Sequence, residues 1–409
     1  MCGINGLFST DISSDLSVDI KKMNNKIIHR GPDSEGEYIF KKNNYSIAMA
    51  MRRLSIIDIS NGDQPMYSED GSKIIVFNGE IYNFKKIKYD LISQGCIFKT
   101  NSDTEVVLKL YEKKGPEAFG ILDGMYAFSI YDKDINKLFI ARDYFGEKPL
   151  YYYHNDDKFI WASELKSLLS VIKCQPEIHP EGLSLFFQLT YIPAPYTIYK
   201  SIYKLEPNNY IDFDLINNNY KIVEIKRKYN QFEYSSKKDA IKITQELVNE
   251  SIESRSISDV PIGTFLSGGV DSSIVSLCLS KQTEKKINTF SIGFNKKSFD
   301  ETDKSRLVSK LINSNHHEFI IAEDTLVDNL NEIILNFDEP FADSSALATY
   351  LVSNKTKDYV KVALTGDGGD EVFGGYNKYY MGFFNKKYTN IIPEKLHNFS
   401  LSLLKKTLK

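Results

Sequence analysis

Short apolar runs that end at turn residues dominate the first half of the chain, which is the pattern of β-strands. Residues 46–58 (SIAMAMRRLSIID) and 73–83 (KIIVFNGEIYN) are two such runs. In GMYAFSIYDKDINKLFIARD (124–143) two runs flank the polar turn DKDIN, which predicts a hairpin. One stretch has a different period. In SDTEVVLKLYEKKG, Val106, Val107, Leu110 and Tyr111 recur at helical spacing, and Ser102 or Asp103 is placed to cap the start. Strands and helices without strict alternation predict an α+β layered domain over residues 2–190.

From 191 to 236 the chain is polar and aromatic and reads as a connector. The pattern then changes. A helix is expected from about Lys237 to Ser254, followed by an apolar strand, a helix, the strand INTFSIGF, a helix near 301–313, the strand HHEFIIA and, later, the strand opening VKVALTGDGGDE. Strands alternating with helices predict an α/β domain over 237–409, built on a doubly wound parallel sheet. In such sheets ligands bind beyond the carboxyl ends of the strands.

At 409 residues, two domains are expected. Hydrophobic residues make up 42% and charged residues 26%, as in a globular protein. The net charge of -3 argues against binding nucleic acid by phosphate neutralisation. Basic runs such as KKIKYD read as solvated surface. Cys2, Cys96, Cys174 and Cys278 form no CxxC pair, so neither a disulfide framework nor a zinc site is expected. The His316-His317 pair reads as the start of a strand. No apolar stretch approaches the roughly 18 residues of a membrane span. The N-terminus lacks a basic and apolar leader, so the expectation is a cytoplasmic, reducing location without a membrane partner.

Two places carry chemistry. The first is SGGVDSS (Ser267–Ser273), between the apolar strand IGTFL and an apolar helix. Glycines let a ligand approach the backbone, and the helix N-terminus favours an anion. Ser267, Ser272 and Ser273 add hydroxyl donors. The string resembles the PP-loop of ATP-pyrophosphatases, which implies ATP as the nucleotide. A second loop, LTGDGGDEVFGGYNKY (364–379), also leaves a strand end and carries Asp367, Asp370 and Glu371. Asp271 and Asp370 could share a Mg²⁺ ion with phosphate oxygens.

The second place is the start, MCGING. Loss of Met1 would leave Cys2 carrying both a thiol and a free α-amine. HRGPDSEG, RRLSIID and FNGEIYN follow. With Cys2 they resemble the glutamine amidotransferase domain of N-terminal nucleophile hydrolases, whose fold is an αββα sandwich. That domain followed by SGGVDSS and GDGGDEVFGGY is similar to the glutamine-hydrolysing (B-type) asparagine synthetase family. ARDYFGEKPLYY, SELKSLL and DEPFADSSALATY share the likeness.

The resemblance implies an order of events. Cys2 attacks the side-chain amide of glutamine, with its own α-amine as base, giving a thioester and ammonia. Asn78 and the Gly79 N–H form the oxyanion hole. Arg53 holds the substrate carboxylate, Glu80 and Asp103 its ammonium, and Leu54, Ile56 and Ile57 offer backbone contacts. Leu266, Ser267, Gly268, Gly269, Asp271, Ser272, Ser273, Ile292, Thr365 and Gly366 would contact ATP. Asp367 is tied to forming β-aspartyl-AMP, and Ser344 and Ser345 are candidates for the aspartate pocket. Ammonia would pass from one site to the other.

Glutamine, aspartate and ATP are thus the expected partners; a homodimer is compatible with the sequence, which does not itself fix the oligomeric state. Two alternatives stay open. One is a related amidotransferase acting on another carboxylate, such as a sugar acid of a surface polysaccharide. The other is a protein retaining glutaminase activity alone. The chain ends soon after the second loop, without a VRVPFLD-like segment, so the synthetase domain is expected to be incomplete at its C-terminus.

Overall fold

The computed structural model describes residues 2–173, 176–229, 233–296 and 300–407, the side chains of 323–328 and 402–407 excepted. Met1 and Cys174 lie outside the described residues. Cys2, Cys96 and Cys278 are free thiols. The chain groups into two units, Met1–Ile262 with Ile321–Val362, and Gly263–Ile320 with Ala363–Lys409.

The first unit is built on two antiparallel sheets. Its strands are β1 (Gly3–Ser9), β2 (Ser34–Lys41), β3 (Ser46–Arg53), β4 (Met66–Tyr67), β5 (Lys73–Ile81), β6 (Gly124–Asp132), β7 (Lys137–Arg142), β8 (Tyr151–His154), β9 (Lys158–Ala162), β10 (Ile202–Lys204), β11 (Asn209–Asp214) and β12 (Asn219–Glu224). One sheet runs β10-β8-β9-β1-β3-β2 and the other β12-β11-β7-β6-β5-β4.

Side-chain parity along the strands shows how the sheets stack. In β3, Ile47, Met49 and Met51 enter one core, while Ala48 and Ala50 enter another beneath the helices Leu16–Lys26 and Leu165–Leu169. In β5, Ile74 and Val76 join the first core, which β1, β6, β7 and β9 also line. Ile75, Phe77 and Ile81 face a third core under the helices Phe84–Ser93 and Asp103–Lys114. Helix, sheet, sheet, helix is therefore the order of layers. Both faces of each sheet are covered, and so the central strands read as unbroken apolar runs rather than alternating ones. The hairpin forms as expected, β6 pairing with β7 from Asp132↔Lys137 to Ala127↔Arg142. The helix at Asp103 is capped by Ser102, whose side chain accepts from Thr104 N.

The stretch 191–236, expected as a connector, instead carries β10, β11 and β12. β10 completes one sheet against β8, and β11 extends the other against β7. These strands are short and separated by brief turns such as Leu215–Asn218, so their period is too brief to show in the sequence.

In the second unit β13 (Ile262–Phe265), β14 (Asn288–Phe294), β15 (Asn315–Ile321) and β16 (Val362–Leu364) form a sheet in the order β15-β14-β13-β16. β13 and β14 pair in parallel, Gly263↔Asn288 to Phe265↔Phe290. Winding runs outward from β13 to β15 and then returns to β16 on the other side. The topological switch point therefore falls between β13 and β16. His316 and His317 stand at the start of β15, as expected, and the His316 ring bonds the Thr289 and Ser291 hydroxyls.

Candidate active sites

Cys2 stands directly before β1, a strand with neighbours on both sides, β9 and β3. Its parity is that of Ile4 and Phe8, and it packs at the edge of the core between the sheets. Asn78 and Glu80 share the parity of Ile74 and Val76 in β5, so they point into the same layer. The stacking of the two sheets thus puts Cys2 and the NGE segment in one layer, although they stand 76 residues apart or more.

The sulfur is held by Leu54, whose N–H donates to Sγ at 3.3 Å, with Sγ 3.6 Å from the Leu54 carbonyl. Burial pushes the Cys2 thiol above its ordinary value; the Leu54 hydrogen bond and the Arg53 charge offset only part of this. The thiol therefore needs a base to become a nucleophile. Arg30 Nε donates to the Cys2 carbonyl at 2.9 Å, and its Nη1 binds Glu164 at 2.9 Å. A Cβ at position 3 would lie 2.8 Å from Ile27 Cδ1 and 2.9 Å from Arg30 Cδ, so glycine there lets Arg30 close on Cys2.

Asn78 is 1% exposed, yet neither its Nδ2 nor its Oδ1 has a hydrogen-bond partner among the described residues. A buried amide left unpaired in this way costs free energy. Glu80 and Asp103 form an acidic pair nearby. Burial first, and then the charge of Asp103, push Glu80 up to about 7. Burial pushes Asp103 up to about 6, although it accepts from Ile81 N at 3.0 Å. Lys148 is buried too, its ammonium held below the ordinary lysine value, with Glu80 the leading charge opposing that shift.

Arg53 is 4% exposed and gathers the loop that follows it. Its Nη1 donates to Ile59 O and Asp63 Oδ1, and its Nη2 to Ile57 O and Asp58 O at 2.7 Å. Asp63 thus occupies the guanidinium as a substrate carboxylate would, and its side chain is 74% exposed. Ile56 O accepts from Asp259 N at 3.0 Å.

Two residues stand out that the motif reading did not single out. Glu164, in SELKSLL, braces Arg30. Asp58, at the end of RRLSIID, uses its carboxylate to accept from Asn61 N and from Asn101 N at 2.6 Å, just before the helix bearing Asp103. The positive φ of Asp58, 48°, is the one local signal of its role.

In the second unit, Leu266 is fully buried and continues β13 through a hydrogen bond to Phe290 O. Ser267 Oγ bonds Ser272 Oγ at 2.9 Å and accepts from Gly269 N at 3.2 Å, closing the loop on the first turn of the helix Val270–Gln282. Ser273 Oγ donates to Gly269 O at 2.6 Å. Gly268 has φ +85°, and a Cβ there would sit 2.4 Å from Lys304 Cβ, so only glycine fits.

The loop after β16 packs against this turn. A Cβ on Gly366 would lie 2.7 Å from Ser272 N, and one on Gly369 2.6 Å from Asp271 Cγ. The structure therefore unites the two acidic loops at the switch point. Thr365 Oγ1 accepts from Asp367 N, and Asp370 O accepts from Gly375 N. Ile292 lies near the carboxyl end of β14. Ser344 and Ser345 are exposed at the start of the helix Ser345–Thr356, in a segment that groups with the first unit.

A model of the glutamine amidotransferase domain matches residues 1–229, and one of asparagine synthase matches 244–409. Among curated relatives, a putative glutamine-hydrolysing asparagine synthetase 2 of Methanocaldococcus jannaschii is 40% identical, covering 97% of this chain and 81% of that protein. Glutamine-hydrolysing asparagine synthetase 1 of Bacillus subtilis is 37% identical, with 93% of this chain and 59% of that protein covered. A probable counterpart in Dictyostelium discoideum is 32% identical, over 92% of this chain and 65% of its own length. The chain thus spans less than two thirds of these last two relatives. Two family matches arranged in this order, with such relatives over nearly the whole sequence, mean that the chain belongs to the family of glutamine-hydrolysing asparagine synthetases.

Proposed function

We propose that this chain hydrolyses glutamine at Cys2 and delivers the ammonia to aspartate activated by ATP as β-aspartyl-AMP, giving asparagine, AMP and pyrophosphate. The observation that carries the first half is the unpaired, buried amide of Asn78 in the layer that also holds Cys2. A donor kept free of protein partners is what a developing oxyanion requires.

In this reading removal of Met1 frees the Cys2 α-amine, which titrates near roughly 7.7–8.0 and takes the thiol proton. The thiolate attacks the glutamine amide carbon. The Asn78 amide and Gly79 N–H hold the oxyanion; its collapse expels ammonia and leaves a thioester, which water then cleaves to glutamate. The glutamine carboxylate displaces Asp63 from Arg53. Its ammonium settles between Glu80 and Asp103, restoring both to the ionised form.

In the second half, the SGGVDSS loop cradles the phosphates with backbone N–H and hydroxyl donors. The aspartate β-carboxylate attacks the α-phosphorus and pyrophosphate leaves. Asp367 orients the amine that follows. Among the described residues no three His, Cys, Asp or Glu side chains gather into a metal site. Asp271 and Asp370, sharing phosphate oxygens, fit the two-carboxylate habit of Mg²⁺. Such an ion would supply neutralisation of phosphate charge. No helix among the described residues is long and apolar enough to cross a membrane.

The test is separability. Cys2→Ala is expected to abolish glutamine hydrolysis while leaving pyrophosphate release with free ammonia, aspartate and ATP. Asp271→Asn is expected to do the reverse. Equal loss of both activities in either variant would refute two independent sites.

A further inference from the structure

We infer that Asp259 and Lys361, both outside the amidotransferase match, are positioning residues for the glutamine-binding loop 54–63. The inference rests on the reading of that loop as the substrate clamp around Arg53.

The loop has few ways to hold itself. It contains no helix or strand between Arg53 and Met66, and two of the ties that anchor it come from residues beyond the amidotransferase match. Asp259 makes the first. Its N–H donates to Ile56 O at 3.0 Å, and its Oδ2 accepts from Asp58 N at 2.8 Å. The second runs through Asp33, whose Oδ2 accepts from Ser55 N at 2.9 Å and from Lys361 Nζ at 2.8 Å.

The Asp259 tie acts on the residue that organises the rest. Asp58 sits at positive φ in this loop, and the Asp259 carboxylate is what satisfies its N–H. The Asp58 carbonyl receives Arg53 Nη2 and Gly62 N, and its carboxylate receives Asn101 N beside Asp103. Releasing Asp58 would therefore loosen the groups proposed for both ends of glutamine, the carboxylate and the ammonium. Cys2 keeps a support outside the loop in Arg30, which binds its carbonyl. The expected signature is a loss of affinity without a loss of turnover.

The two residues also occupy related places. Asp259 stands just ahead of β13 and Lys361 just ahead of β16, neighbouring strands whose far ends carry the two nucleotide loops. An amidotransferase segment of residues 1–229 lacks both ties.

The experiment uses the full chain and steady-state glutamine hydrolysis. Asp259→Ala is expected to raise KM for glutamine about tenfold with kcat within about twofold, the scale of one hydrogen bond to a charged acceptor. Asp259→Asn, which keeps an acceptor, restores KM. Lys361→Ala raises KM about two- to fivefold, because this pair is partly exposed, and Lys361→Arg restores it. Pyrophosphate release with free ammonia stays unchanged in all four. An unaltered KM in both alanine variants, or a fall in kcat with KM unchanged, would overturn the inference. Absence of any glutamine hydrolysis in the unmodified chain would instead overturn the reading on which it rests.

Discussion

Asn78→Ala separates catalysis from folding. A buried asparagine normally anchors its surroundings, and removing it strands partners at about 1–3 kcal/mol each. Among the described residues Asn78 has no hydrogen-bond partner to strand: its side-chain Nδ2 and Oδ1 are unpaired at 1% exposure. The backbone ladder of β5 with β6, Asn78 opposite Ala127, is untouched by the change. Thermal unfolding should therefore shift by no more than about 2–4 °C, the scale of 1 kcal/mol in a domain of this size. Turnover should behave quite differently. Loss of one oxyanion donor costs about 2.7–4 kcal/mol, or a 10²–10³-fold fall in kcat. Glutamate release from saturating glutamine measures the second effect, and calorimetry of the same samples the first. A fall in kcat below tenfold, or unfolding lowered by more than about 8 °C, twice the upper end of that range, would refute the assignment of Asn78 as a donor held ready for the reaction.

Other predictions follow from the same geometry. Glu80 at about 7 and Asp103 at about 6 must both be ionised to hold an ammonium group. Glutamine affinity of Cys2→Ala, measured by calorimetry, should therefore fall as pH drops from 8 to about 6, by up to tenfold per unit per group; a flat profile would exclude the pair. The sign for stability is opposite: both carboxyls bind protons more tightly folded than unfolded, so their contribution to stability weakens as pH rises through the 4–7 window. Asp63→Ala removes the carboxylate that occupies Arg53 and should lower KM for glutamine about two- to fivefold, whereas a rise would show that Asp63 builds the site. Gly268→Ala forces a left-handed residue into a space closed by Lys304; pyrophosphate release should vanish while glutamate release persists. Arg30→Ala should slow glutamine turnover about 10–100-fold, the cost of losing charged hydrogen bonds at the nucleophile's carbonyl, and unchanged turnover would make Arg30 a purely structural residue.

Much was legible in the sequence because it is local. The period of Val106, Val107, Leu110 and Tyr111 and the Ser102 cap lie within one helix and emerged as expected. The DKDIN turn specified its hairpin, and SGGVDSS carried its own conformation in glycines and hydroxyls. The order of the motifs, from Cys2 to GDGGDEVFGGY, was enough to indicate the family. β10–β12 were missed because three- to six-residue strands among brief turns show no period; the sheets they join supply their stability.

What tertiary structure decided was which polar groups meet. The αββα layering turns equal parity on β1 and β5 into one shared layer for Cys2, Asn78 and Glu80. Arg30 finds Glu164 across 134 residues, and Asp58 finds Asp259 across 201. Arg53, expected to hold a substrate carboxylate, is also wrapped by the carbonyls of its own loop. Charge pairing and desolvation depend on distance in space, which neighbouring residues do not encode. The sequence by itself therefore determined the elements and the chemistry available, and only the packed fold decided which groups are buried, paired or left free.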